Sequence, residues 1–344
     1  VELSEFQKKL VDNNFKAKIY YPMPDITFTN AIYTDEWLPS TEHINSRDWE
    51  FINTKLNDVN FSEKQVLKEL VKKDKNLFKL FVNSYLIVAN NSKEDIGIKA
   101  VTYGIFRKPE YRIKTIIKTK EVVKTANNEL AKKHIQRIKE NIDILNKLDI
   151  KTLDKFENDS IISEYVDNGQ TLDKVLMQLF KDGRKEEAYN KIIDFKNKVL
   201  EKFPLSNSHT NSVFRKYGVE CNPKEIKKLT FLKNGLYDLI FQNCFVIKND
   251  YYAYDQEWSE QNVPLEFIIY RSILNLPEID GVITHDELYE KFELVKYIDI
   301  FTELENKMQN EIRDDVMWNL HVRSNQKLIE NIDKNIKEQI EELI

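Results

Sequence analysis

The chain has 344 residues, of which 41% are hydrophobic, and this size is enough to bury the cores of two average domains. Its 52 basic and 57 acidic residues give a net charge of −5, which argues against a nucleic-acid-binding protein as a whole. Only seven glycines occur and none are spaced as G-x-G, which excludes a Rossmann fingerprint and a Walker A loop. Two cysteines, Cys221 and Cys244, form no disulfide or metal pattern and indicate a reducing compartment.

The first part of the chain alternates short apolar segments with polar ones. In chain order the pattern predicts a helix over 2–14, a strand over 15–21 that Pro22 stops, an irregular aromatic-rich stretch over 25–60, a helix over 62–79 capped by Ser62, and a strand over 81–89. The polar run at 90–95 predicts a domain boundary.

The character of the chain changes after this boundary. The pattern predicts strands over 99–106 and 111–119, a third strand at 122–124, a long helix over 127–148, and a strand over 160–166 that leads to Gly169. This is the layout of a kinase N-lobe and hinge. Beyond it the chain is mostly helical, with Thr171 as a helix cap, a strand pair around 244–254, and a charged helical run over 299–344.

The most informative motif is Asp238 followed by Asn243 and then, after a further twelve residues, Asp255. Residues 244–254 (CFVIKNDYYAY) predict a hairpin that returns Asp255 to the side of Asn243. Kinases use this order for a catalytic base and two Mg²⁺ ligands, so we predict Asp238 as the base and Asn243 and Asp255 as metal ligands. Because D-x4-N alone recurs by chance in a chain rich in Asp and Asn, an ordinary surface hairpin is the alternative.

A second anchor is Lys124, which follows two valines on the third predicted strand, as in the V-A-I-K pattern of kinases. Its ammonium would hold the phosphates of ATP; the alternative is one more exposed lysine. Two glutamates of the next helix are candidate partners. We prefer Glu140, near mid-helix, over Glu129, whose place in the first turn suits the helix dipole.

The loop expected to cover the phosphates, residues 106–111 (FRKPEY), contains no glycine. Arg107 or Lys108 could supply charge there in place of backbone amides, although a solvated basic turn is the more frequent explanation of such residues. The residues before Asp238 and after Asp255 also differ from the protein-kinase pattern. These departures are typical of the aminoglycoside- and choline-kinase-like branch and argue against a protein kinase.

Several segments resemble a family of bacterial surface-polysaccharide proteins in which a class I methyltransferase is followed by a kinase-like domain. The resemblance spans about residues 1–310 and rests on YYPMPD at 20–25, IYTDEWLP at 32–39, VNSYLI at 82–87, RKPEY at 107–111, VK at 123–124, EYV at 164–166 and YDQEW at 254–258. The best-understood relatives of this architecture phosphorylate and methylate the end of an O-antigen chain.

The resemblance implies that residues 1–92 correspond to the last helix and strands of a methyltransferase fold. The final two strands would be 15–21 and 81–89, and the methyl-donor loop would lie upstream of Val1. The chain begins with Val rather than Met, as expected of a piece of a longer polypeptide. SAM would bind only if such an upstream region exists.

We therefore predict an α+β chain with a two-lobed protein-kinase-like fold, a preceding α/β segment that resembles the end of a methyltransferase, and a helical C-terminal tail. The predicted limits are 1–92 for the α/β segment, 93–168 for the N-lobe, 169–310 for the C-lobe and 311–344 for the tail.

The leading functional hypothesis is ATP- and Mg²⁺-dependent phosphoryl transfer to a hydroxyl of a sugar or glycan in surface-polysaccharide biosynthesis. The alternatives are a non-catalytic, pseudokinase-like scaffold and a fragment of a SAM-dependent methyltransferase. Expected partners are a nucleotide and the acceptor, with helix-mediated association through the tail. We expect neither nucleic acid nor a membrane span, and a location in the cytoplasm or at the inner face of the membrane.

Overall fold

The structure, a computed structural model, describes residues 3–27, 29–45, 63–90, 97–166, 169–207, 212–319 and 322. The chain forms two compact units. The first holds the described residues up to Ala131 and those from Arg313 onward, and the second is Lys132–Ile312. Among the described residues, no helix is both long and apolar enough to cross a membrane.

The first unit is built on an antiparallel sheet. Its strands are β1 (Lys16–Pro24), β2 (Thr29–Thr34), β3 (Leu86–Asn90), β4 (Ile98–Tyr103), β5 (Ile113–Lys118) and β6 (Glu121–Ala126). Neighbours follow the order β3-β1-β2-β4-β5-β6, and each pair is antiparallel. Its helices are α1 (Leu3–Asp12), α2 (Thr41–Asn45) and α3 (Glu63–Lys73).

An aromatic core holds this sheet to its helices. Tyr21, Tyr33 and Phe78 are each at most 2% exposed. The ring centroid of Phe78 lies 6.0 Å from that of Tyr21 and 5.7 Å from that of Tyr33, both edge-on. Such edge-to-face pairs add roughly 1 kcal/mol each beyond the area they bury.

Strand β1 continues past its predicted end. We predicted that Pro22 stops it, but the strand runs to Pro24. On one side its partner β3 reaches only Tyr20, which pairs with Leu86, so among the described strands residues 22–24 pair with β2 alone. Proline is tolerated in a strand that lacks a neighbour on one side, because its missing N–H is not needed there.

Three other predictions for this unit are corrected. Residues 29–34, predicted irregular, form β2, and the strand predicted over 81–89 begins only at Leu86. The helix predicted over 62–79 ends at Lys73, because the Asp74 side chain accepts a hydrogen bond from the N–H of Asn76 and starts a 3-10 turn. The predicted cap Ser62 lies outside the described residues.

The second unit combines helices with short strand pairs. Its elements are α4 (Lys132–Lys147), β7 (Asp154–Glu157), β8 (Ser160–Glu164), β9 (Gln170–Thr171), α5 (Leu172–Lys181), α6 (Lys185–Lys202), α7 (Val213–Lys216), α8 (Pro223–Ile226), β10 (Phe231–Leu236), β11 (Cys244–Ile247), β12 (Asp250–Ala253), β13 (Ser259–Pro264), α9 (Leu265–Leu274), α10 (His285–Lys291) and α11 (Ile298–Ile312). Strands β7 and β8 form a hairpin, β10 pairs with β13, and β11 lies between β12 and β9.

The predicted hairpin at 244–254 is confirmed as β11 and β12. Its turn residues Lys248 and Asn249 have φ angles of 51° and 67°. Two successive residues with positive φ define the turn type that matches the twist of a tight hairpin, and Asn favours this conformation.

Helix α9 is the centre of the second unit. Eight of its ten residues are buried, as expected of a helix that is apolar almost all round. It follows β13 directly and contacts β10, α10 and α11. Strand β10, which leads to Asp238, is therefore packed directly against the most buried helix of the unit.

The α+β class is confirmed, and the order of elements from β4 to β12 is that expected of a protein-kinase-like fold. The predicted limits at 92/93 and 168/169 involve residues outside the described ones, and the compact units meet at 131/132 and 312/313 instead. The domain limits and the methyltransferase-like interpretation of residues 1–92 stay predictions. The tail is described only to 319 and at 322, so the rest of the helical run predicted over 299–344 lies outside the described residues.

Gly235 generates a stability prediction, because a Cβ at this position would lie 2.4 Å from the Cβ of Val263 on the paired strand. We expect Gly235→Ala to lower the free energy of unfolding by about 1–3 kcal/mol, because the strands must move apart. Asn234→Ala, at the exposed neighbouring position, is the control. Urea unfolding measures both, and an unchanged midpoint for Gly235→Ala would contradict the prediction.

Candidate functional site

The candidate site begins where β10 ends. The loop after it carries four apolar residues that are at most 3% exposed, namely Tyr237, Leu239, Ile240 and Phe241. The N–H of Leu239 donates to the carbonyl of Leu236 at 3.1 Å, and residues 241–243 form a 3-10 turn. These apolar anchors fix the position of the loop that carries Asp238 and Asn243.

The backbone carbonyl of Asp238 accepts hydrogen bonds from three surrounding residues. It accepts hydrogen bonds from the side-chain amides of Asn243 and Gln256, both at 3.0 Å, and from the N–H of Ile240 at 2.8 Å. Because Nδ2 of Asn243 is used in this way, its other amide atom, Oδ1, points away from the Asp238 carbonyl. An amide oxygen in this position is a suitable ligand for a hard cation.

Asp255 is held at the end of the hairpin by three local features. The N–H of Tyr254 donates to the carbonyl of Asn243 at 3.1 Å, and the N–H of Asp255 donates to Oδ2 of Asp154 at 2.8 Å. Asp154 is buried and also accepts from the Ser163 hydroxyl. The φ angle of Asp255 is 57°, a left-handed conformation that Asp and Asn adopt more readily than most residues.

The carboxylate of Asp238 is 8% exposed as a residue and pairs with a buried arginine. Its Oδ1 accepts from Nη1 of Arg271 at 3.0 Å, and the same nitrogen donates to the carbonyl of Tyr237. Among the described residues no hydrogen bond to Oδ2 is seen. The carboxylate is thus fixed through Oδ1 by a buried guanidinium.

Burial raises the pKa of Asp238 to about 6, against the opposing effect of Arg271. The nearby negative charges of Glu257 and Asp255 raise it further. Asp238 and Asp255 are therefore close enough for their charges to interact. At neutral pH the carboxylate of Asp238 is ionised but remains a better proton acceptor than an exposed aspartate.

The segment after Asp255 is anchored to helix α4. Nε2 of His134 and Oε2 of Glu257 lie 3.1 Å apart, and both side chains are buried. The Asn141 side-chain amide donates to the carbonyl of Gln256 at 2.9 Å, and its oxygen accepts from the Ser259 hydroxyl at 2.6 Å. The residues that depart from the protein-kinase pattern thus have a structural role: they fix the strand that follows Asp255.

The structure brings Asp238, Asn243 and Asp255 together in the second unit. Lys124 lies on β6 of the first unit, so its position relative to Asp238 stays a prediction. Glu140 lies on α4 with an exposed side chain, and its pairing with Lys124 also stays a prediction.

Arg107 and Lys108 lie in the loop between β4 and β5, which is longer than predicted because β4 ends at Tyr103. The N–H of Asp314 donates to the carbonyl of Phe106 at 2.8 Å, and Nη2 of Arg112 donates to Oδ2 of Asp314 at 2.9 Å. The chain after α11 therefore holds this loop. A role of Arg107 or Lys108 in phosphate binding stays a prediction.

The residues of the site fit a divalent cation in part. Among the described residues no three His, Cys, Asp or Glu side chains come together as a ready-made metal site. Mg²⁺, however, usually takes one or two protein ligands and completes its shell with water and phosphate oxygens. A donor set of this kind consists of Asn243 Oδ1 and the carboxylate of Asp255. The carboxylate of Asp238 is close enough to repel that of Asp255.

Two charged residues of the site were not predicted. Arg271 lies in the apolar run FIIYRSIL (267–274), and a lone charge in such a run is a signal for a buried ion pair. Asp154 gave no signal, because its partner Asp255 is 101 residues away in sequence.

Comparisons with known proteins give remote likenesses. No family model and no curated protein matches the chain. It is similar to a choline kinase from Streptococcus pneumoniae, with 15% identity over 63% of this chain and 89% of that chain and a TM-score of 0.31. The APH(2″)-IIa protein in complex with streptomycin and ATP has 12% identity, 70% and 92% coverage, and a TM-score of 0.32.

An ethanolamine kinase from Plasmodium vivax has 12% identity over 85% of this chain and 94% of that chain, with a TM-score of 0.33. With TM-scores this low, the function proposed below rests on the geometry of the site itself.

The raised pKa of Asp238 generates a prediction about stability. A carboxyl group with a folded pKa of about 6 and an unfolded value of 3.8 contributes stability below about pH 4 that is lost as the pH rises through 6. Because Asn does not ionise, we expect Asp238→Asn to remove the decrease in the free energy of unfolding between about pH 4 and pH 6. At pH 7 the variant should be more stable than the wild type by roughly 2–3 kcal/mol. Near pH 4 the two proteins should differ little.

Urea unfolding at pH 4, 5, 6 and 7 measures this difference, with Asp280→Asn at an exposed loop position as the control. Arg271 keeps Glu305 as a counter-ion in the Asp238→Asn variant. A variant that is less stable than the wild type at pH 7 would count against the raised pKa.

Proposed function

We propose that this chain transfers a phosphoryl group from ATP to a hydroxyl group of a small molecule or glycan. The observation that carries the proposal is the arrangement around the Asp238 carbonyl. One loop presents a carboxylate with Oδ2 unbonded to any described residue, and the amide of Asn243 and the end of the β11–β12 hairpin are bonded to that same loop. This order and placement suit phosphoryl transfer, in which positioning and charge supply most of the catalysis.

In this reaction the acceptor hydroxyl lies against Oδ2 of Asp238. Its oxygen forms a bond to the γ-phosphorus while the bond from that phosphorus to the β,γ-bridging oxygen breaks and ADP leaves. The hydroxyl proton passes to the Asp238 carboxylate. Arg271 keeps the other carboxylate oxygen in place, so the base cannot rotate away from the hydroxyl.

The remaining roles follow the sequence predictions. Asn243 and Asp255 would hold Mg²⁺, which when bound supplies positive charge to the phosphate oxygens. Lys124 with Glu140 would fix the phosphate tail of ATP, and Arg107 or Lys108 would add charge beside it. For the acceptor we propose a sugar or glycan hydroxyl in surface-polysaccharide biosynthesis, which the resemblance of the quoted segments supports.

A non-catalytic scaffold is the second candidate, and one observation favours it. The loop expected to close over the phosphates is tied to the segment after α11 through Phe106, Arg112 and Asp314. A loop held in this way adapts less easily to a bound nucleotide. The two candidates differ in whether the folded chain binds ATP at all.

Calorimetric titration of the chain with ATP, with and without Mg²⁺, tests the proposal. We expect ATP binding that Mg²⁺ strengthens, and a loss of about tenfold in the Mg²⁺-supported affinity for Asp255→Asn, roughly 1.4 kcal/mol. Asn tolerates the positive φ at this position, so the variant should fold normally. If the folded wild type binds no nucleotide, the proposed phosphoryl transfer is wrong and the non-catalytic scaffold is favoured.

Asp250→Asn is the matched control, since it makes the same change at an exposed position of the same hairpin, where Asp250 pairs with Lys151. It should leave ATP affinity unchanged. Asp238→Asn should bind ATP as the wild type does and lower transfer of labelled phosphate to a panel of sugars and oligosaccharides by about 10²–10⁴-fold.

A further inference from the structure

A cavity of about 280 Å³ lies in the second unit, between α6, the β11–β12 hairpin and the turn that follows α4. Six of the residues around it are apolar and form what we call its apolar wall: Ile150, Phe195, Val199, Leu239, Cys244 and Ala253. All of them except Ile150 are at most 4% exposed. An enclosed apolar space of this size is suited to one small molecule.

The cavity is shaped by contacts within the chain itself. The N–H of Ala253 donates to the carbonyl of Lys151 at 2.9 Å, and the N–H of Leu153 donates to the carbonyl of Ala253 at 3.0 Å. On the other side the ring centroids of Phe195 and Tyr251 lie 5.6 Å apart with the rings nearly perpendicular. Because these contacts need no ligand, the cavity is already formed in the free chain, as small-molecule sites usually are.

The charged residues around the cavity cancel one another. They are three lysines and three acids, namely Lys151, Lys198, Lys202, Asp149, Glu201 and Asp250. Nζ of Lys151 lies 2.5 Å from Oδ2 of Asp250, and Nζ of Lys202 lies 3.2 Å from Oδ2 of Asp149. With no net charge around it, the cavity attracts neither an anion nor a cation. An ion on the apolar wall would also lose hydration without gaining a partner.

The cavity is separate from the groups proposed for phosphoryl transfer but adjoins the loop that carries them. Asp238, Asn243 and Asp255 do not line it. Leu239 and Cys244 do line it, and they directly follow Asp238 and Asn243 in sequence. A molecule in the cavity would therefore contact this loop at both ends.

We propose that this cavity is a binding site for an uncharged, mainly apolar ring compound that packs against Leu239 and Cys244. Burial of apolar surface supplies the driving force. A flat ring suits the site because Phe195 and Tyr251 already stand edge to face, and aromatic rings prefer edge-on or offset contacts with a further ring. The inference goes beyond the proposed phosphoryl transfer and does not depend on it.

The test is an NMR titration of the intact ¹⁵N-labelled chain with indole, an uncharged two-ring compound. We expect saturable shifts of the backbone amides of Leu239 and Cys244, with a dissociation constant on the order of 0.1–1 mM for a ligand of this size. Two ionic probes of similar shape, indole-2-carboxylate and N-methylquinolinium, should bind about tenfold more weakly because each would carry its charge onto the apolar wall.

A variant that fills the cavity tests the location of the site. Val199→Phe places a larger side chain on the apolar wall from α6 and should weaken indole binding by about tenfold or more. Leu200→Phe is the matched control, since Leu200 is the next residue of the same helix, is 37% exposed and does not line the cavity. It should leave the affinity for indole unchanged. If Val199→Phe does not fold, Ile150→Phe fills the cavity from a half-buried position.

Three results would overturn the inference. The first is indole shifts that stay linear with concentration or that centre away from Leu239 and Cys244, because the cavity would then be closed to ligands in solution. The second is equal or tighter binding of either ionic probe. The third is an equal effect of Val199→Phe and Leu200→Phe. All of these measurements are made without ATP, so their failure is distinguishable from failure of the proposed phosphoryl transfer.

Discussion

The second unit is organised around one energetically costly feature, the carboxylate of Asp238 buried at the end of β10. Removing a single charge from water costs several kcal/mol, and the cost is offset only when a partner of opposite charge is held in good geometry. Arg271 provides that partner from α9, whose other faces are almost entirely apolar. Because Arg271 also needs Glu305, the position of α11 depends on the same charge.

Three carboxylates of the site, those of Asp238, Asp255 and Glu257, lie close enough for their charges to interact. Asp255 and Glu257 both raise the pKa of Asp238, so these carboxylates are held together against their repulsion. The hydrogen bonds of Asn141 and the contact of His134 with Glu257 hold the segment after Asp255 in place. Under the proposed function, this stored repulsion favours binding of a divalent cation with its nucleotide.

Local patterns predicted the hairpin that carries the site, but not the long-range charges that support it. Residues 244–254 show two apolar stretches around a polar turn, and the structure has β11 and β12 there. Strand β2 was missed because residues 29–34 lack a clear alternation and follow a proline-rich stretch. Asp154 could not be predicted, since its role depends on a contact formed only in the folded chain, whereas Arg271 stands out as a charge in an apolar helix.

The left-handed backbone conformation of Asp255 limits which residues evolution can retain at this position. Under the proposed function, two separate requirements restrict the residue at this position: a metal ligand needs an oxygen atom, and the positive φ disfavours most side chains. A descendant that had lost all activity would therefore still tend to keep Asp or Asn here for the sake of folding. An acidic or amide residue at position 255 in a related chain is therefore expected in active and inactive relatives alike.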